Sequence, residues 1–171
     1  MRALSERARQ AGMLLESFVR ESNFIEGISR HPTAAEIAAH EKILASSNVT
    51  ISDLQQFVRT VQPDAQLRNS LGIDIVVGPY RPPPGGPQIE VTLENILQFA
   101  VRGASEQQIF WVHHQYENLH PFSDGNGRSG RALWLWMMGG SSSRLFLHEW
   151  YYQSLRIELD AVRPHPNLLR R

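Results

Sequence analysis

One short segment concentrates the residue types that phosphate chemistry requires. Residues 120–131 are His-Pro-Phe-Ser-Asp-Gly-Asn-Gly-Arg-Ser-Gly-Arg. Gly125 and Gly127 leave a loop without bulky side chains just before a helix, where backbone N–H groups and the positive helix end can hold a pyrophosphate. Arg128 and Arg131 are three residues apart on the first helical turn, so they lie on the same side and can contact phosphate oxygens.

Two further side chains of this segment complete a phosphate-transfer site. Asp124 offers a hard oxygen to a divalent cation, and Mg²⁺ typically binds through one carboxylate plus substrate phosphates. His120 is the group of the segment that titrates near neutrality, so it is the expected general base. With no covalent nucleophile of its own, the segment predicts that His120 deprotonates a hydroxyl of another molecule, which attacks a phosphorus held by the loop.

The helix before this segment allows a different kind of site. His113, Glu117 and His120 recur at i, i+4 and i+7, a spacing at which one helix could ligate zinc or iron. Other close ligands are scarce and His114 points to another face. We therefore favour packing roles for His113 and Glu117 beneath the loop.

Composition excludes several classes of protein. The chain has 171 residues, enough for one domain over 1–171, and its 17 basic residues balance 17 acidic ones. No overall field therefore draws it to nucleic acid or to an anionic membrane. It has no cysteine, which removes disulfides, thiolate zinc sites and a cysteine nucleophile. Lys42 is the single lysine, and neither the P-loop motif nor the lysine motif of protein kinases is present.

Targeting signals are not apparent in the sequence. No apolar run approaches the roughly 18 residues of a membrane span, and the N-terminus becomes charged too early for a signal peptide. We therefore expect a cytoplasmic protein.

The elements that position the segment are predicted to be helical. Apolar periodicity, capping residues and breakers predict helices over 3–20, 34–45, 52–62, 92–101, 105–119, 129–138 and 145–162. The capping boxes are Thr33 to Glu36 and Ser105 to Gln108. Residues 73–80 are the convincing strand material, and the proline-rich run 82–87 is expected to be a surface loop inside one domain.

The segment 120–131 resembles the signature of the Fic family, His-x-Phe-x-Asp/Glu-Gly-Asn-Gly-Arg-x-x-Arg, and meets every fixed position. The resemblance implies a mainly α fold, with a helical bundle core and a short β-hairpin flap at 73–84. It also implies transfer of AMP from Mg-ATP to a hydroxyl of a target protein. The pair Gly127 and Arg128 resembles the corresponding pair of the AMP-transferring members, whereas the related Doc-type kinases carry Lys at the position of Gly127.

Carried over position by position, the resemblance implies these roles. His120 would be the base, Asp124 would hold Mg²⁺, and Phe122 would anchor the loop in the core. The phosphate contacts would come from Gly125, Asn126 and Gly127 at the α- and β-phosphates, Arg128 at the β-phosphate and Arg131 at the γ-phosphate.

A second segment, residues 22–27, is similar to the inhibitory motif Ser/Thr-x-x-x-Glu-Gly/Asn of the class II members of this family. In this interpretation, residues 1–30 form an N-terminal inhibitory helix region, which Ser22 helps to seat. A carboxylate of Glu26 reaching Arg131 would form a charge-assisted pair and occupy the arginine needed by the γ-phosphate. The alternative is that Glu26 only caps or solvates a helix end.

Partners are implied by the resemblance as well. The flap would align a target segment as an added strand, and self-modification is expected at hydroxyl residues such as Tyr80 or Ser141 to Ser143. Many class II members are longer, so we expect a minimal or truncated form. Family members often dimerise, and a homodimer stays open because no residue marks an interface.

Three functions therefore stand for test. The first is a self-inhibited protein adenylyltransferase acting on Ser, Thr or Tyr hydroxyls. The second is the reverse reaction, in which Glu26 orients water to remove AMP, so that the protein is a metal-dependent phosphodiesterase. The third is a nucleotide-binding interaction module without turnover. The complete catalytic motif, which includes His120, argues against this third function.

Overall fold

The described part of the chain is helical. A computed structural model of the protein describes the backbone of residues 2–140 and the side chains of residues 14–140. Its helices are α1 (Arg2–Ile25), α2 (Ala34–Ala45), α3 (Ile51–Val61), α4 (Pro87–Leu97), α5 (Glu106–Leu119) and α6 (Asn126–Met137). The predicted helix at 145–162, the aromatic run at 150–152, Ser141 to Ser143 and the tail from Pro164 lie outside the described residues. None of the described helices is long and apolar enough to cross a membrane.

Helix α6 lies at the centre of the bundle. It packs against α1, α2, α3 and α5, and its residues from Arg128 to Met137 are all buried. The second half of α6 is almost wholly apolar, which predicts burial on all sides. Because the phosphate-type segment leads directly into α6, the site is built on the most enclosed helix of the described fold.

Local sequence signals account for most helix starts. Thr33 and Glu36 form the predicted capping box on α2. Helix α3 has the same device and begins one residue earlier than expected, with Thr50 as N-cap and Asp53 as its partner. Ser105 caps α5, but Gln108 does not bond back to it and instead donates to the carbonyl of Phe99, so only half of the second capping box forms.

The start of α4 differs from the prediction. Helix α4 begins at Pro87 rather than at Thr92, and it ends at Leu97. Proline is well suited to the first position of a helix because that N–H needs no helical partner. The last residue of the proline-rich run is therefore helical, while 82–86 forms the loop. Helix α4 then packs against α3 and α5, so helices from both sides of that loop are in contact.

The flap contains much less strand than its β-branched sequence predicts. Within residues 73–84, pairing is limited to the isolated bridge between Val77 and Tyr80, which exchange two backbone hydrogen bonds of 2.9 Å around a tight turn. Asp74 adds one cross-link by accepting a hydrogen bond from the backbone N–H of Gly85 at 2.8 Å. The expected strand over 73–80 is thus a minimal hairpin turn, and Val76 at 57% exposure has no sheet to pack on.

Candidate active site

The loop between α5 and α6 is fixed by backbone contacts to a distant segment. The N–H of Arg68 donates to the carbonyl of Pro121, and the N–H of Ser123 donates to that of Gln66. An antiparallel bridge joins the neighbouring residue Leu67 to Phe122. The Phe122 side chain is 1% exposed and anchors the loop in the core, the role that the resemblance implies for it.

Asn126 closes the same loop from within. Its side-chain amide donates to the carbonyl of Phe122 at 2.8 Å and its side-chain oxygen accepts from the N–H of Phe122 at 2.9 Å. Both polar atoms of the side chain are therefore occupied. The backbone N–H of Asn126 precedes the first hydrogen bond of the helix and can face an anion.

The N-terminus of α6 is arranged to receive an anion. Gly125 adopts the left-handed conformation (φ 77°) as N-cap and supplies no side chain to the first helical N–H groups. The first backbone hydrogen bond of the helix is that of Ser129 to the carbonyl of Gly125, so the N–H groups of residues 126–128 precede it. Uncapped N–H groups at the positive end of a helix favour phosphate.

His120 lies at the C-terminal end of α5 in a left-handed conformation with φ 46°. Its Nδ1 contacts the backbone carbonyl of Glu117. A carbonyl accepts only, so Nδ1 carries the proton and Nε2 keeps its lone pair. Burial and the nearby Arg68 guanidinium lower the pKa of His120. The ring is therefore neutral near pH 7 and available as a base through Nε2.

The structure brings Arg131 together with the end of α1. The Nε of Arg131 donates to Ser22 Oγ at 2.8 Å, and Nη2 donates to the carbonyl of Ser22 at 3.0 Å. Nη2 also lies 2.5 Å from Glu26 Oε1. Arg131 is 1% exposed whereas the Glu26 side chain is 36% exposed. The pair therefore joins a buried cation to a carboxylate at the rim of the site.

Gly27 explains why Glu26 stands where it does. Gly27 has φ 77°, its N–H donates to the carbonyl of Phe24, and the N–H of Ile28 donates to that of Asn23. These bonds form a Schellman motif, which ends a helix at a glycine in the left-handed region. Glu26 is therefore the residue at which α1 stops and the chain turns away.

Gly127 makes room for this arrangement. A Cβ at Gly127 would collide with Glu26 Oε1 and lie 3.0 Å from Nη1 of Arg131. The Glu26 carboxylate thus lies directly against the first turn of α6. A larger residue at this position would have to displace it.

Arg128 does not share the direction of Arg131. Its Nη1 donates to the carbonyl of Val61 at 2.7 Å and its Nη2 to Gln62 Oε1 at 2.9 Å. Both arginines were expected to face one side of the helix. In the structure they contact different elements, because Arg128 binds the end of α3 whereas Arg131 binds the end of α1. Arg128 caps the end of α3, and its buried Nε has no hydrogen-bond partner among the described residues.

Asp124 is exposed at the mouth of the loop, and its Oδ1 accepts from the N–H of Gly125 at 2.6 Å. One exposed carboxylate suits Mg²⁺, which takes most of its other ligands from phosphates and water. Within the described residues there is no group of three His, Cys, Asp or Glu side chains that could hold a metal. The residues present therefore fit a cation that is bound together with a nucleotide.

The zinc or iron site proposed for His113, Glu117 and His120 is not among the arrangements that could hold a metal in the described residues. His113 Nε2 and Glu117 Oε1 are 4.0 Å apart, and the Nδ1 of His120 is turned to a backbone carbonyl. His113 contacts the carbonyl of Gly130 through Nδ1 and packs on Trp134. Burial raises the pKa of Glu117 to about 7. These two side chains are packed between α5 and α6, as the preferred interpretation expects.

Two residues important to the site escaped the motif analysis. Glu36 is 2% exposed and binds Arg30 through both oxygens, at 2.8 and 2.9 Å, and Asn23 of α1 at 3.2 Å. It therefore fastens the end of α1 to α2. Arg68 is fully buried beneath the loop and bonds to four carbonyls. The capping box pointed to Glu36 only as a cap, and no local pattern singled out Arg68.

A comparison with protein families agrees with this geometry. The family model described as the Fic/DOC family matches residues 33–138, which is more than half of the chain. The match spans α2 to α6, the flap and the whole loop at 120–131. Helix α1, with Ser22 and Glu26, precedes the matched residues, so the contact of Glu26 with Arg131 is known from the structure alone.

Proposed function

The chain belongs to the Fic/DOC family, whose members generally carry AMPylation-type transferase activity, and from this we propose that it is a protein adenylyltransferase. It transfers AMP from Mg-ATP to a Ser, Thr or Tyr hydroxyl of a target protein. The observation that carries the proposal is the state of His120, whose Nδ1 is held by the Glu117 carbonyl so that Nε2 is left as the base. This base stands on the loop that leads into the uncapped end of α6.

In the proposed reaction, Nε2 of His120 accepts the proton of the target hydroxyl. The hydroxyl oxygen forms a bond to the α-phosphorus, the bond from that phosphorus to the bridging oxygen breaks, and pyrophosphate leaves. Backbone N–H groups at the start of α6 stabilise the charge that develops on the phosphate oxygens. The neutral ring of His120 suits this role, because a base must be unprotonated before it acts.

Asp124 is the residue that would hold Mg²⁺. When bound, the cation neutralises phosphate charge and helps pyrophosphate to leave. Arg131 would contact the γ-phosphate once Glu26 has released it. Arg128 would approach the β-phosphate, for which its unpartnered Nε is the available donor.

We further propose that the enzyme is autoinhibited. The 2.5 Å pair of Glu26 with Arg131 supports this, because Arg131 cannot hold a terminal phosphate while the carboxylate occupies its Nη2. The carboxylate also adds negative charge where a triphosphate would lie. Release of Glu26 would remove both obstacles.

Removal of AMP is the second candidate. It is favoured by the exposed Glu26 carboxylate lying against Gly127 within the site, where it could orient a water molecule toward an AMP-protein phosphodiester. The same residues then serve in reverse, with water in place of pyrophosphate.

The target would dock on the flap, whose apolar residues Val76, Val77 and Tyr80 are exposed. Tyr80 is also a candidate for self-modification. Its hydroxyl donates to the carbonyl of Asn118 at 2.8 Å, two residues before the base. A single AMP adduct found by peptide mass spectrometry after incubation of an active variant with ATP would identify such a site, and its absence would exclude self-modification.

Label transfer from α-labelled ATP with Mg²⁺ tests these proposals. Wild type, Glu26→Gly, and Glu26→Gly combined with His120→Ala should be compared. Labelling by Glu26→Gly alone supports an autoinhibited transferase that uses His120. Loss of AMP from a pre-labelled protein with wild type alone favours removal. Silence in both directions would leave a nucleotide-binding module.

A further inference from the structure

We propose that Arg68 is a positioning residue that holds the backbone of His120 and ties it to both arms of the flap. Through this link, the base and the docked target hydroxyl would keep a fixed relative position. The inference rests on the proposed function, since it takes His120 as the base. Arg68 lies outside the segment 120–131 and outside the inhibitory motif.

The contacts of Arg68 reach two parts of the site at once. Nε donates to the carbonyl of His120 at 2.7 Å, and Nη2 donates to that of Leu119 at 2.9 Å. Nη1 donates to the carbonyls of Ile73 at 3.2 Å and Pro83 at 2.9 Å, one on each arm of the flap. A single planar group therefore joins the end of α5 to both ends of the hairpin.

The charge of Arg68 is compensated in an unusual way. The side chain is 0% exposed, and the described part of the chain offers it no ion-pair partner. Its guanidinium instead donates hydrogen bonds to the last carbonyls of α5, which form the negative end of that helix. Asp74 raises the pKa of Arg68 through space, while burial is the larger effect and lowers it. An unpaired buried cation is costly, which is consistent with a role beyond packing.

Arg68 binds the carbonyl of His120, a residue with an unfavourable backbone conformation. His120 is the only non-glycine residue with positive φ in the described chain, and this conformation is unfavourable for a residue that carries a Cβ. Two contacts hold it: the N–H of His120 bonds to the carbonyl of Tyr116 at 3.0 Å, and Arg68 holds its carbonyl. The direction of the imidazole ring depends on this backbone, so it depends on Arg68.

The flap depends on Arg68 for a related reason. With a single bridge between Val77 and Tyr80, it has little strand pairing of its own. Its described side-chain ties to the end of α5 are Arg68 and the bond of the Tyr80 hydroxyl to the carbonyl of Asn118. Lysine could not replace this arrangement, because three donors on one nitrogen cannot span four carbonyls on two segments.

Arg68→Lys in the Glu26→Gly background tests the role in catalysis. We expect kcat for AMP transfer to fall about 10- to 100-fold with the affinity for ATP unchanged, because the N–H groups of α6 do not depend on Arg68. Arg102→Lys is the matched control. Arg102 likewise donates to a backbone carbonyl, that of Leu44, but it does so on the exposed surface. An unchanged kcat, or an equal loss of ATP binding, would overturn the proposal.

Hydrogen exchange tests the link without relying on activity. Arg68→Lys should accelerate amide exchange in residues 73–86 and 119–123 together and leave α2 unchanged. Acceleration in only one of the two segments would overturn the link. If Glu26→Gly itself transfers no AMP, the proposed function fails, while this measurement still decides whether Arg68 couples the segments.

The wild-type protein provides a measurement that requires no variant, should Arg68→Lys fail to fold. The Nε–H of Arg68 should be protected from solvent exchange in NMR spectra, as expected for a buried donor to the His120 carbonyl. Rapid exchange of this proton would overturn the proposal.

Discussion

The carboxylate of Glu26 and the guanidinium of Arg131 lie 2.5 Å apart although 105 residues separate them in the chain. Their contact joins the end of α1 to the first turns of α6. The carbonyl of Ser22, one of the last of α1, accepts from the same Nη2. Arg131 is thus bound both by a side-chain charge and by the negative end of a helix. Under the proposed autoinhibition, Glu26 has to release Arg131 before Arg131 can bind a phosphate.

Ser22→Ala should weaken this hold without touching the carboxylate. It removes the acceptor of the Arg131 Nε–H, and leaving a buried charged donor unpaired costs about 1–3 kcal/mol. We expect AMP transfer intermediate between wild type and Glu26→Gly, measured as initial rate against ATP concentration. Ser22→Thr, which keeps the hydroxyl, is the control. Transfer as low as that of wild type would show that Ser22 does not seat the inhibitory helix.

Glu36→Gln should release the same helix from a greater distance. Hydrogen bonds from Arg30 lower the pKa of Glu36 to about 2, so it is charged at neutral pH, and it also accepts from Asn23 of α1. Removing the charge weakens the contacts that hold the end of α1 on α2. We expect a lower melting temperature and higher AMP transfer.

Asp53→Asn is the matched control for that experiment. Asp53 has the same capping contacts, to the N–H and hydroxyl of Thr50, but makes them on α3 and has no described contact with α1. It should lower stability without raising AMP transfer. Equal activation by both variants would mean that general loosening, and not the anchor of α1, controls the site.

The sequence predicts the parts of this structure that are specified locally. The start of α2 follows from its capping box, and the end of α5 follows from the proline at 121. The mainly helical fold and the family are confirmed. Helix starts were wrong where a stronger local signal lay just upstream, as with Thr50 before α3 and Pro87 at the start of α4.

Long-range contacts to backbone atoms could not be predicted in the same way. Every residue has a carbonyl, so nothing in the sequence marks those of Leu119 and His120 as partners of Arg68. The flap shows a related limit. Its β-branched residues favour a strand, yet within residues 73–84 the pairing is limited to the bridge between Val77 and Tyr80, so that preference is not expressed. The contact of Glu26 with Arg131 was expected from the motif resemblance, whereas its regulatory role stays a proposal.

Gly130→Ala should destabilise the contact between α5 and α6. A Cβ at Gly130 would collide with Glu117 Oε1 and lie 3.1 Å from the ring of Tyr116. Overpacking of this kind costs about 1–3 kcal/mol. Thermal melting should show the loss, and shortening Glu117 in the double variant Glu117→Ala, Gly130→Ala should recover part of it. A double variant less stable than the sum of both single changes would contradict this packing.

The pH dependence of AMP transfer should report the environment of His120. Burial lowers the pKa of His120 below its ordinary 6.5, the positive charge of Arg68 adds to this, and the bond to the Glu117 carbonyl and the charge of Glu26 oppose it. A base works when it is unprotonated, so a lowered pKa keeps it active as the pH falls through 6.5. In the Glu26→Gly variant the opposing carboxylate is absent, which favours the neutral ring further. We therefore expect the acidic midpoint of kcat/KM for that variant to lie below pH 6.5. A midpoint above 6.5 would mean that the imidazolium is stabilised in the site, and His120 would then be better suited to donate a proton than to accept one.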